Sequence, residues 1–454
     1  MRAKNVRLTA LALSILFVFS AFAGCTSKTP AETPPANTGT PAAQDPAPAP
    51  EPAPANEPVV VKFPTFQIGV NSFAPVMEKA VADFNTQNEG KIKLEVEEIP
   101  GDQAYNDKMK VLLSADQLPD VIYTGGYNLL DLALEKNAVM DLTPYFDADP
   151  EWKAMFSDIA IRNNSRDGKI YGAPMQADLI GYFYNKELFD QAGVSVPKTW
   201  DEFFDVCAKL KEAGITPMSM DTADSGWVTS LWLMAMVGTN GAQGNAFANQ
   251  SNPTDYNTPE FIDAVGKIQT LFQQYTTSDA AGGNYDVAAN AFCSGETAMI
   301  ANGPWMIADF SNPDMAPEGF DAKLGAACFP GGGIIDDVPI GYLIGAKEKE
   351  TQDAAVEFVK YMTGPEVGSM ALEMIGQISA NTKVAVDDEI KAKYPLLAEL
   401  VSAANGAEYR FSYHQALWYP NTVDVISTIY PPLALGQMTP EAFASALTEA
   451  AAKN

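Results

Sequence analysis

The sequence predicts an α/β protein of two lobes, each a mainly parallel sheet flanked by helices. Short β-rich runs alternate with amphipathic helical segments, which is the pattern of parallel strands joined by helices. The part of the chain that can fold runs from Val59 to Asn454 and is almost 400 residues long. Chains of that length divide into more than one hydrophobic core. Alternation and length together therefore favour two α/β lobes.

The start of the folded part shows this alternation most clearly. Two strand–helix pairs and a third strand follow one another in VVVKFPTFQIGV, APVMEKAVADFNTQ, KIKLEVEEI, YNDKMKVLLSAD and PDVIYT. Another strand, GYFYN, precedes the helical segment TWDEFFDVCAKLKEAG. After about residue 350 the chain becomes rich in helices, as in TQDAAVEFVKYMTG, PEVGSMALEMIG and TPEAFASALTEAAA. No internal repeat is visible.

Two helix starts carry capping residues. Thr199 stands three residues before Glu202, the spacing of a capping box, and this helix is predicted to end at Gly214. Thr258 stands before Pro259, so the threonine is the predicted cap and the proline the first helical residue. These signals fix where two helices begin.

Two turns can also be predicted. The Asp-Gly pair in SRDGKIYG predicts a hairpin in which Gly168 takes a positive φ. In NGPW, Gly303 and Pro304 predict a turn that opens a short helix ending near Phe310 and holds the side chain of Trp305 in place.

The N-terminus has the pattern of an export signal. Arg2, Lys4 and Arg7 precede an apolar run from Leu8 to Ala23, and small residues lead into Cys25. The run AFAGC resembles the lipobox of bacterial lipoproteins, which implies that residues 1–24 are removed and that Cys25 is lipidated. The alternative is an uncleaved membrane anchor, although the run is shorter than the roughly 20 residues of a spanning helix.

The segment that follows Cys25 is predicted to be a disordered tether. Residues 26–58 contain ten prolines and no Val, Ile, Leu, Met or aromatic residue, so nothing there can bury enough surface to offset the entropy of ordering. At about 3.1 Å per residue, a proline-rich segment of this length reaches roughly 100 Å. Residues 25–58 are therefore expected to link a lipid anchor to the folded part.

Charge and rare residues exclude several functions. The net charge is −28, and removal of the three positive charges in residues 1–24 gives −31, which argues against nucleic acid, polyanions or anionic lipid as partners. The only histidine, His414, rules out metal sites and catalytic triads that need two. We expect no metal, cofactor or catalytic residue. Cys207 lies on an apolar helical stripe, and pairing of Cys293 with Cys328 stays open.

Five segments, taken in order, resemble one family. They are LPDVIYTGG, GKIYGAPMQADLIGYFYNKELFDQAGVSVPKTWDEF, FCSGETAMIANGPWMIADF, GYLIGAKEKETQDAAVEFVKYMTGPE and MTPEAFASALTEAAA. The chain is similar to the bacterial extracellular solute-binding proteins of family 1, which serve ABC sugar transporters. The resemblance covers nearly all of the folded part. It implies a periplasmic-binding-protein-like fold, in which two lobes close on a ligand held in the cleft between them.

The resemblance also implies boundaries, partners and a location. The first lobe is expected to comprise residues 59–178 and 329–362, and the second residues 179–328 and 363–454. A monomeric receptor, anchored by lipid to the outer face of the cell membrane, would then deliver a sugar to the permease subunits of an ABC importer. The particular sugar is not implied, because the residues that bind it vary among members.

Candidate ligand contacts lie on the loops that follow the strands, since ligands of open α/β sheets bind at the carboxyl ends of strands. A sugar needs flat aromatic rings for its C–H face and polar side chains for its hydroxyls. The resemblance assigns Asp178 and Trp305 to the cleft. Loop position alone suggests the other candidates, which are Asn71, Phe73, Tyr127, Asn128, Gln176, Asp224, Trp227, Tyr342 and Trp418.

Three other functions stay open at this point. The many carboxylates allow a glycoside hydrolase that uses two of them, although no motif recommends a pair. A binding protein of the same family could instead take ferric ion or a polyamine. For each aromatic candidate the alternative role is packing in a core, because large aromatic side chains are usually mostly buried.

Overall fold

The computed structural model describes residues 57–453. The predicted export signal, Cys25 and nearly all of the predicted tether lie outside the described residues. The described part contains helices and strands in an irregular alternation. The strands are β1 (Val59–Thr65), β2 (Ile92–Glu98), β3 (Val121–Tyr123), β4 (Ser165–Arg166), β5 (Lys169–Ile170), β6 (Asp178–Asn185), β7 (Thr216–Met218), β8 (Thr297–Asn302), β9 (Leu324–Ala327), β10 (Gly333–Asp337), β11 (Tyr342–Ile344) and β12 (Tyr409–Phe411).

Helices make up most of the remaining ordered structure, together with two short 3-10 helices, Pro304–Ser311 and Asp321–Lys323. The α-helices are α1 (Ala74–Gln87), α2 (Asp102–Ser114), α3 (Leu129–Glu135), α4 (Thr143–Ala148), α5 (Pro150–Lys153), α6 (Asp158–Asn163), α7 (Lys186–Ala192), α8 (Trp200–Glu212), α9 (Trp227–Gly238), α10 (Gly241–Ala248), α11 (Pro259–Gln274), α12 (Tyr285–Cys293), α13 (Lys349–Met362), α14 (Pro365–Ile375), α15 (Asp388–Lys393), α16 (Pro395–Asn405), α17 (His414–Leu417), α18 (Pro420–Ala434) and α19 (Pro440–Ala451).

The predicted local signals are confirmed where they can be compared. The hydroxyl oxygen of Thr199 accepts a hydrogen bond from the amide of Glu202, and Thr258 caps α11 in the same way. Strands β4 and β5 pair as an antiparallel hairpin, with Asp167 and Gly168 both at positive φ. Such turns favour Asp-Gly because both central residues must adopt a left-handed conformation.

Two large hydrophobic cores divide the described residues. One is built from β1, α1, α13 and α14, and we call the part around it the first lobe. The other contains β6, β8, β9 and β10 with α8, α9, α11, α18 and α19, and we call the part around it the second lobe. A small cluster around Tyr105 and Leu343 lies beside the first core. The protein thus has the two-lobed α/β fold that the sequence predicts.

Within residues 57–453, core membership changes near residues 176–178, 336–341 and 381–383, and Leu372 of α14 also packs in the second core. Phe329 packs in the second core, and β10 pairs with β6 there. Val367, on α14, packs in the first core. Core membership therefore favours lobe limits near residues 337 and 380 over the predicted limits at 329 and 363, and we propose these later limits.

The central sheet of the second lobe is mixed, in contrast to the predicted mainly parallel sheet. Its strand order is β12-β10-β6-β8-β7, and β9 also pairs with β6. Strand β6 runs antiparallel to β8, β9 and β10, whereas β7–β8 and β10–β12 are parallel pairs. Helices α7 and α8 connect β6 to β7 within this lobe, yet β6 runs opposite to the β7–β8 pair.

The three cysteines of the described part, Cys207, Cys293 and Cys328, are all free thiols. The possible pairing of Cys293 with Cys328 is therefore not formed. Cys207 and Cys293 are buried in the second core, where burial raises the pKa of the Cys293 thiol to about 12. These thiols act as core side chains.

Candidate ligand-binding site

Three aromatic rings meet at the start of α9. The ring centroid of Trp227 lies 6.1 Å from that of Trp305. It lies 5.3 Å from that of Tyr413, which meets it edge to face at 81°. Trp227 and Trp305 are partly exposed, whereas Tyr413 is buried. We call these three residues the aromatic cluster. Neighbouring, partly exposed indoles offer the flat apolar surface on which a sugar ring can pack.

Trp227 is positioned by the N-terminus of α9. The buried carboxylate of Asp221 accepts a hydrogen bond of 3.0 Å from the amide of Thr229 and so satisfies a donor that the first helical turn leaves free. Burial raises the pKa of Asp221 to about 6. Gly226 has a φ of 53°, and a Cβ there would lie 2.7 Å from the ring of Tyr430. Only glycine therefore lets the chain enter α9 at this angle.

Trp305 is positioned by the end of β8. The side-chain oxygen of Asn302 accepts from the amide of Gly303 at 2.9 Å, and its amide group donates to the hydroxyl of Tyr285 at 3.1 Å. A Cβ on Gly303 would lie 2.3 Å from the indole of Trp305, so the indole packs directly on the glycine. The predicted short helix is present as the 3-10 helix Pro304–Ser311.

Asp178 is the first residue of β6 and is only 2% exposed. Its carboxylate accepts hydrogen bonds from the side-chain amide of Gln176 at 2.8 Å and from the hydroxyl of Tyr413 at 2.9 Å. Burial, assisted by the charge of Asp337, raises the pKa of Asp178 to about 7 even though both hydrogen bonds act in the opposite direction. The structure thus joins two predicted site residues, Gln176 and Asp178, to the aromatic cluster.

Tyr413 is the member of this cluster that the sequence analysis missed. The segment YHQALWY offers Trp418 as a candidate by loop position. The position of Tyr413 just after β12 is a signal that could have found it, since the other candidates were chosen from loops that follow strands.

The loop after β3 brings Tyr127 toward the second lobe. The Tyr127 hydroxyl lies 3.4 Å from the side-chain oxygen of Gln103. Burial raises the pKa of Tyr127 well above its ordinary value, the charge of Asp102 adds to this, and a hydrogen bond with Ser225 opposes it. Ser225 immediately precedes the Gly226–Trp227 turn, so Tyr127 lies next to the element that carries the aromatic cluster.

Asn128 takes part in a polar cluster between the lobes. Its side-chain amide donates to Asp131 at 3.0 Å and to Asn252 at 3.3 Å, while Asn252 donates to Asp131 at 2.9 Å. Arg166 pairs with Asp131 and, through hydrogen bonding and its charge, lowers the pKa of that carboxyl although burial opposes the shift. The amide of Asn128 also donates to the carbonyl of Gln415 at 3.0 Å. The lobes are therefore in direct contact here.

Asp224 is exposed and has a φ of 54°. Burial, followed by the negative charges of Asp107 and Asp286, raises its pKa. Burial likewise raises the pKa of Asp102, and Asp224 and Asp286 add to that shift. Carboxylates of α2, of the loop before α9 and of α12 therefore act on one another electrostatically, and a further negative charge among them would be unfavourable.

Of the remaining candidates, Phe73, Tyr342 and Trp418 pack in a core, whereas Asn71 is partly exposed. The side-chain oxygen of Asn71 accepts from the amide of Phe73 at 3.0 Å at the entry to α1, and Phe73 is buried in the first core. Tyr342 and Trp418 are 0% and 1% exposed. Tyr342 packs in the first core and Trp418 in the second. We therefore leave Phe73, Tyr342 and Trp418 out of the proposed contact set.

Comparison with known protein families identifies the family of this chain. A model of the family described as bacterial extracellular solute-binding protein matches residues 69–369. The chain therefore belongs to this family, whose members are substrate-binding proteins rather than enzymes. Within residues 57–453 the structure contains no helix long and apolar enough to cross a membrane.

Curated relatives align over about half of their length. The multiple sugar-binding protein of Streptococcus mutans serotype c is 29% identical over 207 residues, which is 43% of this chain and 47% of the relative. The sn-glycerol-3-phosphate-binding periplasmic protein UgpB of Rhizobium meliloti is 24% identical over 242 residues, covering 50% of this chain and 53% of that protein. The chain thus spans about half the length of the curated relatives it matches.

Solved structures match nearly the whole described fold. A chitin oligosaccharide binding protein superposes with a TM-score of 0.77 at 21% identity, over 87% of this chain and 98% of its own. A solute-binding protein from Streptococcus pneumoniae, in complex with the blood group A-trisaccharide, gives 0.74 at 24% identity, over 86% and 98%. These neighbours show the two-lobed fold.

Proposed function

We propose that this protein is the lipid-anchored receptor of an ABC importer, and that it captures a neutral sugar or oligosaccharide between its lobes. The observation that carries the proposal is the pair of partly exposed indoles, Trp227 and Trp305, held 6.1 Å apart on two different elements. Membership of the family supports a transport role. Sugars bound by structural neighbours, including raffinose, support the ligand class.

The proposed contact set combines the indoles with polar groups from both lobes. Trp227 and Trp305 stack on the sugar, and the polar contacts come from residues on surrounding loops, namely Asn71, Tyr127, Asn128, Gln176 and Asp224. Asp178 contributes through Gln176 and Tyr413, because both hydrogen-bond its buried carboxylate. Lobe closure brings the two groups of contacts onto one ligand.

The charge of the surroundings separates two ligand classes. The charges of Asp224 and Asp286 add to the raised pKa of Asp102, and the charge of Asp286 adds to that of Asp224, so an anion such as glycerol phosphate would add repulsion. A neutral sugar avoids this cost. The same carboxylates favour a polyamine as the second candidate ligand, since its ammonium groups would neutralise them.

The proposed attachment depends on Cys25, which lies outside the described residues. Lipidation there, followed by the proline-rich residues 26–58, would hold the folded part near the permease subunits on the outer face of the membrane. We propose no catalytic role. Incubation of purified protein with candidate glycans, followed by chromatography, should leave the glycans intact, and cleaved products would favour the hydrolase alternative.

A screen of ligands tests the proposal directly. Small molecules released from freshly denatured protein are identified by mass spectrometry, and raffinose, chitobiose, maltotriose, spermidine and glycerol 3-phosphate are compared by thermal shift. A true ligand at 100 times its Kd stabilises the fold by about 2.7 kcal/mol. A sugar should do so, whereas spermidine as the only stabilising compound would favour the polyamine alternative.

Matched variants locate the site of any stabilising sugar. Trp227→Ala and Trp305→Ala should strongly reduce the thermal shift, while Trp200→Phe, a change at a partly exposed indole that packs on Phe203, should retain it. Retention of the full shift in both alanine variants would show that the sugar binds elsewhere.

A further inference from the structure

Two buried carboxylates face each other where the chain crosses between the lobes. Asp178 begins β6 and Asp337 ends β10, and the two are direct partners in the antiparallel ladder. Asp178 is 2% exposed and Asp337 is 9% exposed. Directly opposite residues of such a ladder project to the same face of the sheet, with Cβ atoms about 5 Å apart. Two carboxyl groups are therefore held close together at a largely buried place.

The donors to this pair are neutral. Asp178 accepts from Gln176 and Tyr413, and Asp337 accepts from the side chains of Asn163 and Ser412 and from its neighbouring backbone amide. Within the part of the chain that the structure describes, neither carboxylate hydrogen-bonds or ion-pairs with a lysine, arginine or histidine. Two neighbouring acids without a cation titrate as a coupled pair, because ionising one disfavours ionising the other.

One dipeptide contacts both acids. Ser412 donates its hydroxyl to Asp337 and the next residue, Tyr413, donates its hydroxyl to Asp178. The Tyr413 ring then meets Trp227 edge to face at 5.3 Å. The hydroxyl also lies close to the backbone of Gly126 in the first lobe, since a Cβ added at Gly126 would lie 2.6 Å from it. A rigid ring thus connects the paired acids to Trp227.

We propose that Tyr413 is a positioning residue, which transmits the protonation state of the Asp178–Asp337 pair to the indole of Trp227. The consequence for ligand affinity rests on the proposed function, but the coupling itself does not. An ionised Asp178 accepts a charge-assisted hydrogen bond from the Tyr413 hydroxyl, and such bonds are shorter than those to a neutral acid. Protonation of Asp178 therefore lengthens the contact between the two oxygens, and the rigid tyrosine ring that carries the hydroxyl shifts against Trp227.

Several titratable groups surround the two ends of this connection. The charge of Asp337 raises the pKa of Asp178, and Asp337 and Tyr123 raise the pKa of Tyr413. Asp336, next to the pair, forms an ion pair with Arg410. Around Trp227 lie Asp221, Asp224 and His414, the last with its ring centroid 6.2 Å from the indole. Burial lowers the pKa of His414 to about 3, so this ring stays neutral at neutral pH. Mutation must therefore distinguish the effect of Asp178 on Trp227 from the effects of Asp221 and Asp224.

The test is fluorine NMR of ligand-free protein labelled with fluorinated tryptophan, recorded between about pH 5 and about pH 9. Trp227→Phe assigns the Trp227 resonance. In the wild-type protein this resonance should titrate near pH 7, where Asp178 changes protonation. Trp152, which stacks on Phe146 in the first core, is the internal control and should not follow the same curve.

Three variants decide whether the titration reaches Trp227 through Tyr413. Asp178→Asn and Tyr413→Phe should each remove it, the first by eliminating the acid and the second by eliminating only the hydroxyl. Asp337→Asn should move the midpoint to lower pH, because the charge of Asp337 raises the pKa of Asp178. Tyr182→Phe is the matched control, since Tyr182 is equally buried in the second core and its hydroxyl has no partner.

The outcomes separate the possibilities clearly. Loss of the titration in Asp178→Asn and Tyr413→Phe, with retention in Tyr182→Phe, supports the positioning role. A Trp227 resonance that does not change with pH in the wild-type protein overturns it, as does a titration that persists unchanged in Tyr413→Phe. Because no ligand is used, failure of the sugar proposal leaves this result interpretable.

Discussion

Replacing Asp178 with asparagine should change how the stability of the protein depends on pH. Folding raises the pKa of this buried carboxyl from 3.8 to about 7, so the folded protein holds a proton that the unfolded chain releases. Below about pH 4 both states are protonated and the group has no effect. As the pH rises from there to pH 7, the free energy of unfolding falls, because the unfolded state binds fewer protons.

The size of the effect follows from the shift. Each pKa unit corresponds to 1.36 kcal/mol, so a rise of about three units destabilises the folded protein by about 4 kcal/mol at and above pH 7. Asp178→Asn removes this loss. The amide oxygen can still accept from Tyr413, and the side chain of Gln176 can rotate to accept from the new amide group.

The assay is urea unfolding of wild-type and variant protein at a series of pH values from about 4 to about 8. As the pH rises, the unfolding free energy of the variant minus that of the wild type should increase by about 1.4 kcal/mol per pH unit and then level off near pH 7. Asp314→Asn, at an exposed position in a turn, controls for the change in net charge. Parallel curves for wild type and Asp178→Asn would refute the reasoning, since any constant offset reports only the altered hydrogen bonds.

Four further predictions concern the site and its surroundings. Trp305→Ala should weaken binding of whichever sugar the thermal-shift screen identifies by about 30- to 700-fold, the equivalent of 2–4 kcal/mol for a buried aromatic contact, and near-normal affinity by calorimetry would remove the indole from the site. Trp418→Ala should cost about 3–5 kcal/mol of stability by leaving a cavity in the second core, with little change in affinity; chemical denaturation showing a small loss would contradict the packing role. Cys25→Ser should abolish lipidation, which mass spectrometry of the intact protein can detect, and a variant that still carries lipid would disprove the assignment. Small-angle scattering of the folded part should give a smaller radius of gyration with saturating sugar, and an unchanged radius would exclude lobe closure on the expected scale.

The features that the sequence determined by itself are those with local causes. Helix α8 begins after Thr199 and α11 after Thr258, because a cap needs only a side-chain oxygen within three residues of a free amide. The Asp-Gly turn at residue 168 is equally local. The alternation of strands and helices, together with chain length, predicted two lobes. Each strand or helix has to bury an apolar face, and the size of a single core is limited.

The exposure of each aromatic ring was decided only by the tertiary structure. Trp227, Trp305 and Trp418 all follow strands or turns in the sequence, yet Trp418 is enclosed by Tyr256 and Phe261 while the other two stay partly exposed. Burial depends on which distant elements pack over a ring, and no pattern of neighbouring residues specifies that. The partner of Tyr413, Asp178, is likewise 235 residues away in the chain.

Strand direction in the second lobe was decided in the same way. The segment GYFYN predicts a strand, but only the assembled sheet shows that this strand, β6, pairs antiparallel with β8, β9 and β10. The pairing with β10 also places Asp178 opposite Asp337, a residue far away in the chain. Local propensity sets which residues form a strand, whereas the path of the whole chain sets its neighbours and therefore the environment of a buried charge.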